Sequence, residues 1–333
     1  MGCISRRVVA GLIGLAIGLA LPASASASLT DQQRAERGAA YISTAQRPNG
    51  SIPAFSPIGS TSDAVLAFVA TGVGRPQIRA ALAYLRRQVI AGNVAGVGLK
   101  AKVVMAVSAA GRDPRDFGGT NLVASIRGQI DADGHIDDAA VFDQSLGLLA
   151  LEAAGARPSK RVTGWLLDAQ CPDGGWAYDA PYAPATDDEH CDDGTPTDFF
   201  TSDSNTTSYA VQGLASAGRG TFTDDPFAFF DSVRDPDHMG WAYSAGFIAT
   251  DANSTGLVLQ AYAAASETIP SGGLKALRRL QHPTCGAWAY TWSGNVKGDP
   301  DVGATIGAIP GLLRMPFPVS GPVSGGVPSL PAC

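Results

Sequence analysis

One short turn recurs along the 333-residue chain, and nothing else in it restricts the fold as much. The pattern is a Gln, a small or acidic residue with a Gly a few positions on, and then a Trp, Ile or Val. Copies start at Gln46, Gln88, Gln129, Gln170 and Gln281, and a sixth at Arg234 has Arg in place of Gln. The turn glycines Gly50, Gly92, Gly134, Gly174, Gly240 and Gly286 are 42, 42, 40, 66 and 46 residues apart. The long interval contains a 22-residue acidic insertion, 179–200, and without it all intervals are similar. A period near 40 residues marks stacked units of two helices and two loops, each burying its apolar face only against its neighbours.

The segments between turns are of two kinds. Ala-rich stretches from Ser62, Leu99, Ala139, Ser204, Ala252 and Asp301 are apolar nearly all round. Most open with Ser, Thr, Asp or Asn and close at Gly, the start and stop signals of a helix, so they are expected to be interior helices. Stretches from Pro76, Pro158 and Ser271 carry charge on one side and are expected to be outer helices. Six alternations of inner and outer helix predict an all-α (α/α)6 toroid over residues 28–315. An open solenoid would need polar capping repeats, which neither end shows. A closed ring leaves a central cavity, and Ala-rich inner helices favour a small one.

The spacing of Gln170, Asp173, Gly174 and Trp176 resembles the QW repeat of squalene and hopene cyclases, and the ring resembles the α/α toroid that those enzymes share with protein prenyltransferases. The resemblance covers about residues 30 to 315. It implies a fold and leaves the function open, because one fold hosts many chemistries. The acid motif of the protonating cyclases, D-x-D-D-T, finds only "SDSNT" at Ser202–Thr206 and "TDANS" at Thr250–Ser254, both lacking the acid pair. The D-x-C zinc motif of the prenyltransferases is missing as well. In the turns, Gln can bond local backbone, Gly permits the tight bend, and Trp176, Trp241 and Trp288 are expected to pack across neighbouring helix pairs.

Residues 1–27 read as a secretion signal: Arg6 and Arg7, an apolar run from Val8 to Leu21, and small residues at Ala25 and Ala27. The apolar run is shorter than the roughly 20 residues a spanning helix needs, so no membrane span is expected after processing. Removing the signal leaves Cys171, Cys191, Cys285 and Cys333, an even number that favours two disulfides in an exported chain. Of the three possible pairings, proximity favours Cys171 with Cys191 and Cys285 with Cys333. Residues 316–333 read as a Pro/Gly/Ser-rich tail.

Charged residues are only 16% of the chain and the net charge is −6, so a nucleic-acid partner is not expected. The inner-helix starts place Asp63, Asp138, Asp203, Asp251 and Asp301 at one mouth, where they serve as helix caps or as ligands. Phe199, Tyr209, Tyr243, Tyr290 and Trp292 are the aromatic candidates for a ligand there. No cofactor or metal is expected; a calcium site among Asp187, Asp188, Asp192 and Asp193 is the weaker alternative to a solvated loop. The leading expectation is a secreted, non-catalytic module holding an apolar or cofactor-sized ligand, or a partner segment, in its central cavity. The alternatives are a divergent cyclase or prenyltransferase-like enzyme using Asp203 or Asp251, and a structural protein of the cell envelope.

Overall fold

The computed structural model describes residues 28–136, 139–179 and 201–333, together with Gly2 and Cys191. Asp138, Phe199, the leader other than Gly2, and Asp187, Asp188, Asp192 and Asp193 lie outside the described residues. In chain order the helices are α1 (Asp31–Thr44), α2 (Pro57–Thr71), α3 (Arg75–Ile90), α4 (Val97–Ala109), α5 (Leu122–Arg127) and α6 (Val141–Ala153). There follow α7 (Lys160–Asp168), α8 (Ser204–Ser216), α9 (Pro226–Ser232), α10 (Ala252–Ala264), α11 (Gly273–Leu280) and α12 (Val302–Leu312). Even-numbered helices form the inner layer and odd-numbered ones the outer. Each inner helix packs on the next, and α12 packs back on α2, which closes the ring.

Local chemistry sets the helix starts. Asp203, Asp251 and Asp301 each accept backbone N–H groups at the head of α8, α10 and α12. Helix α2 begins five residues before the expected Ser62, because Ser56 caps it and Pro57 enters its first turn. The all-α expectation needs a small correction: two antiparallel ladders follow the last turn. They pair β1 (Trp288–Ala289) with β4 (Pro300–Asp301) and β2 (Trp292–Ser293) with β3 (Val296–Lys297).

The repeated turn ties one outer helix to the next. Gln46 Nε2 donates to Gly50 O (3.1 Å) within its turn and to Gln77 O (3.0 Å) on α3. Gln170 Nε2 does the same with Gly174 O (2.8 Å) and Asp224 O (2.9 Å), just before α9. Gln281 Nε2 reaches Gly286 O (3.0 Å) and Arg34 O (2.9 Å) on α1. The glycine is demanded by that docking as well as by its backbone: at Gly174 (φ 88°) a Cβ would lie 2.2 Å from Asp225 O, and at Gly286 (φ 81°) 2.4 Å from Arg37 O.

Two copies differ from the pattern. Gln88 lies inside α3, and Gly92 is a left-handed residue just past its C-cap with nothing within 4 Å of its missing side chain, so this copy ends a helix and makes no turn of the repeated kind. At Arg234 the left-handed position is Met239 (φ 68°), and Gly240 follows it. Here the glycine sits on the facing partner instead: Gly272, the N-cap of α11, leaves room for the Met239 side chain. Arg234 takes over the tie by donating to Ser271 O before α11. In the third copy the turn docks on α7, where a Cβ on Gly134 would stand 2.3 Å from Arg161 O and Arg161 Nη1 donates to Ala132 O (2.9 Å), and Gln144 of the inner helix accepts from Ile136 N (2.9 Å) and donates to Gly134 O (3.0 Å).

Inside the turns the tryptophans are fully buried, and two of them bond the preceding outer helix: Trp176 Nε1 donates to Leu166 O (2.7 Å) and Trp288 Nε1 to Leu277 O (2.8 Å). Their backbone N–H groups are held by threonines of the inner helix, Thr207 (2.9 Å) and Thr305 (2.8 Å), as Trp241 N is by Thr255 (3.0 Å) and Ile52 N by Thr61 (2.9 Å).

Small residues bring the inner helices close. A Cβ on Gly256 would stand 2.4 Å from Gly307 O, and one on Gly311 2.2 Å from Gly256 O, so α10 and α12 meet backbone to backbone. The C-terminal residues then close the far end of the ring. Gln212 Oε1 accepts from Phe317 N (2.9 Å), Gln260 Nε2 donates to Met315 O (2.9 Å), and Phe317 is buried against Tyr209. Beyond it the chain bonds Gly72 and Arg75 and ends in the Cys285–Cys333 disulfide; Cys171 pairs with Cys191.

If the Gln-to-next-helix tie carries ring closure, Gln281→Ala should lower unfolding free energy by about 1–3 kcal/mol, because it leaves buried groups unpaired. Gly286→Ala should cost more than Gly92→Ala, since only the former meets backbone. Urea unfolding of the three variants checks the order; equal losses at Gly92 and Gly286 would contradict it.

Candidate functional site

Each outer helix returns the chain, so the six inner helices run in one direction and their N-termini ring one mouth. The sequence Trp-Ala-Tyr occurs at 176–178, 241–243 and 288–290, and in each case the Tyr carbonyl caps the neighbouring inner helix. Tyr178 O accepts from Phe142 N (3.1 Å), Tyr243 O from Ser204 N (2.8 Å) and Tyr290 O from Ala252 N (2.8 Å). That backbone role fixes the three rings at the rim, where they are partly exposed. Phe55 stands beside the start of α12 against Gly303 and is 81% exposed.

The expected aspartates fall into two groups. Asp203 is 2% exposed and caps its own helix: Oδ1 accepts from Asn205 N (2.9 Å) and Thr206 N (2.8 Å), and Oδ2 from Thr206 Oγ1 (2.7 Å). Asp251 accepts from Ser254 N (2.7 Å), and Asp301 from Ala304 N (2.6 Å). Burial lifts the Asp203 carboxyl to about 6 against the bonds from Thr206 and Asn205, and lifts Asp251 to about 6 against those from Ser254. The rim residue Tyr243 also bonds the Asp203 side chain.

Asp63 behaves differently. It lies within α2, where it pairs with Lys102 Nζ of α4 at 2.7 Å. Asp143 of α6 occupies the space left by Gly98 of α4, where a Cβ would stand 2.0 Å from its Oδ1. Burial opposes charge on Lys102, but Asp63, Tyr209 and Asp143 together outweigh it and the ammonium is held above its ordinary pKa. Asp143 is raised by burial and by Asp179, with Lys102 acting the other way. Tyr209 of α8 completes the group; burial pushes its phenol up to about 12. Four consecutive inner helices therefore bring Asp63, Lys102, Asp143 and Tyr209 together. Lys102 and Asp143 were not singled out from the sequence, although a Lys inside an otherwise apolar Ala/Val helix was a visible signal.

Below the mouth, the space bounded by Asp63, Tyr209, Asn253, Ile306 and Phe317 measures about 60 Å³, room for a few waters. The glycine seam narrows the axis here and Phe317 lines this void, which as it stands is smaller than a cofactor. Trp292 follows Thr291, whose hydroxyl donates to Thr250 O just before α10 (2.8 Å). It stacks on His238 (5.0 Å between ring centres) with the Arg279 guanidinium 5.2 Å from its centre. His238 Nδ1 is 3.1 Å from Asp235 Oδ2, and bonds from Thr250, Asp237 and His238 hold the Asp235 carboxyl down at about 2 despite burial. Asp235 anchors its turn, a role the sequence pattern did not expose. Among the described residues no cluster of three His, Cys, Asp or Glu is placed to hold a metal.

No protein-family model and no curated protein sequence matches the chain. Solved structures do. An unsaturated glucuronyl hydrolase specific for heparin superposes with a TM-score of 0.59 at 11% identity, over 86% of this chain and 96% of that one. The α-1,6-mannanase GH76A of Salegentibacter sp. HEL1_6 gives 0.58 at 12%, over 86% and 98%. The type II terpene cyclase MstE from Scytonema gives 0.53 at 14%, over 86% and 99%. At these identities the likeness shows the shared α/α toroid fold alone.

The raised carboxyls set a pH dependence. Asp203 and Asp251 titrate near 6 when folded and at about 3.9 when unfolded, so their contribution is complete below about pH 4 and is lost as pH rises through 6. Asp235 runs the other way, losing its contribution as pH falls from about 4 through 2. The melting temperature of a double Asp203→Asn, Asp251→Asn variant, which keeps both caps, should fall less between pH 4 and 6.5 than that of the unmodified chain. Parallel profiles would contradict the assignment.

Proposed function

We propose that this chain is an exported binding module that takes a saccharide across the mouth of its toroid. The carrying observation is the rim itself: Tyr178, Tyr243, Tyr290 and Phe55 offer aromatic faces around the Asp63–Lys102–Asp143 cluster, above a void of about 60 Å³. Aromatic faces stack on the C–H faces of sugar rings, and carboxylates and an ammonium bond hydroxyls. Two of the structural neighbours are named for saccharide substrates, heparin and an α-1,6-mannan, which supports the ligand class by analogy of fold. The two disulfides suit an oxidising compartment, and no helix among the described residues is long and apolar enough to cross a membrane.

A second reading, hydrolysis at the same mouth, is favoured by Asp143, a carboxyl raised by burial beside an ion pair and therefore suited to donate a proton. An isoprenoid cyclase reading through Asp203 or Asp251 is not carried forward, because both are buried carboxylates that cap their own helices.

Calorimetric titration against a panel of acidic and neutral oligosaccharides tests the proposal. Tyr290→Ala and Phe55→Ala should each weaken binding about two- to tenfold, the worth of one aromatic contact, with the melting temperature nearly unchanged. Absence of binding to every saccharide, or binding that ignores both variants, would refute it. Turnover of the bound saccharide that Asp143→Asn abolishes while binding persists would select the hydrolase reading.

A further inference from the structure

A second concavity lies at the opposite end of the ring, between α3, the C-terminus of α4 and the returning tail, with a volume of about 860 Å³. One stripe of α3 forms its wall: Arg75, Ile78, Arg79, Leu82, Ala83 and Arg86 follow the i, i+3, i+4, i+7 spacing over about 16 Å of helix. Buried Phe117 and part-buried Val323 supply the apolar floor, and Arg112 stands on the far side. Arg75 is occupied with the Val323 carbonyl at 2.6 Å. Arg79, Arg86 and Arg112 are exposed and have neither hydrogen-bond nor ion-pair partners among the described residues. The groove's two carboxylates do not neutralise them: Asp113 is engaged with Arg115, and Asp116 is a single charge. Four arginines thus converge on one apolar trough in a chain whose net charge is −6.

We propose that this groove binds a single-chain anionic amphiphile, its apolar chain on Leu82, Phe117 and Val323 and its head group against Arg79 and Arg86. The volume is that of a small-molecule site. Guanidinium groups are suited to carboxylate and phosphate heads. The C-terminal end of α4 carries negative partial charge, which directs the head group toward the α3 side.

Calorimetry with dodecyl phosphate below its micellar concentration tests this on the full chain, with inorganic phosphate and a neutral dodecyl polyoxyethylene ether as comparisons. Dodecyl phosphate should bind at a one-to-one ratio, and a double Arg79→Ala, Arg86→Ala variant should lose about tenfold or more in affinity. Leu82→Asn should weaken it too, whereas the rim variant Tyr290→Ala should leave it unchanged. Equal binding of the neutral ether reduces the groove to a nonspecific apolar sink, and equal binding of inorganic phosphate reduces it to an anion site; either overturns the proposal. So does retention of full affinity in the double Arg variant, or failure of dodecyl phosphate to bind.

Discussion

Gln281 holds two ends of the chain together that are 247 residues apart. Its amide nitrogen bonds Arg34 O and its amide oxygen accepts from Arg34 Nη1 (3.2 Å), while Arg278 donates through Nε and Nη2 to the two Asp31 oxygens, each at 2.7 Å. Arg37 Nη2 in turn donates to Pro283 O (2.7 Å) and Thr284 O (2.9 Å). Each of these is a modest bond, worth about 1 kcal/mol net. Together they decide whether the helices form a ring or an open arc. An arc would expose one side of α1 and one side of α12, which are buried only because they face each other.

Closure has a consequence for function. With six helices around one axis and glycines at the α10–α12 contact, the ring is narrow, and Gln212 and Gln260 draw Phe317 into it. Both proposed sites lie at the ends of the toroid. At one end the Tyr carbonyls that cap inner helices also fix their rings at the rim, so the same residues serve fold and recognition. At the other end the outer face of α3 carries its unpartnered arginines.

The alternation of inner and outer helices was legible because it repeats: a 40-residue period, N-capping aspartates and terminal glycines point to the same elements. The disulfide pairing followed from proximity. Other features were legible in principle and missed. Asp203 and Thr207, Asp251 and Thr255, and Asp301 and Thr305 share one spacing, in which the Asp caps the helix and the Thr one turn later holds the Trp of the preceding turn. The copy at Gln88 misled because a helix C-cap and a docked turn both require a left-handed glycine. The copy at Arg234 misled because the space a glycine provides was moved to Gly272, on a different segment. The burial of Phe317 had no local signal, since a Pro-rich tail has no periodicity and its place depends on the shape of a cavity lined by α2, α8, α10 and α12.

Native-state hydrogen exchange at the seam between α11 and α1 tests the closed ring most directly. If closure holds the structure together, the amides of α1 and α12 should exchange only through the global opening that also releases α6 and α8. Exchange of α1 at a markedly lower free energy than the other helices would show that the ring opens at its seam and that the Gln281 tie is incidental.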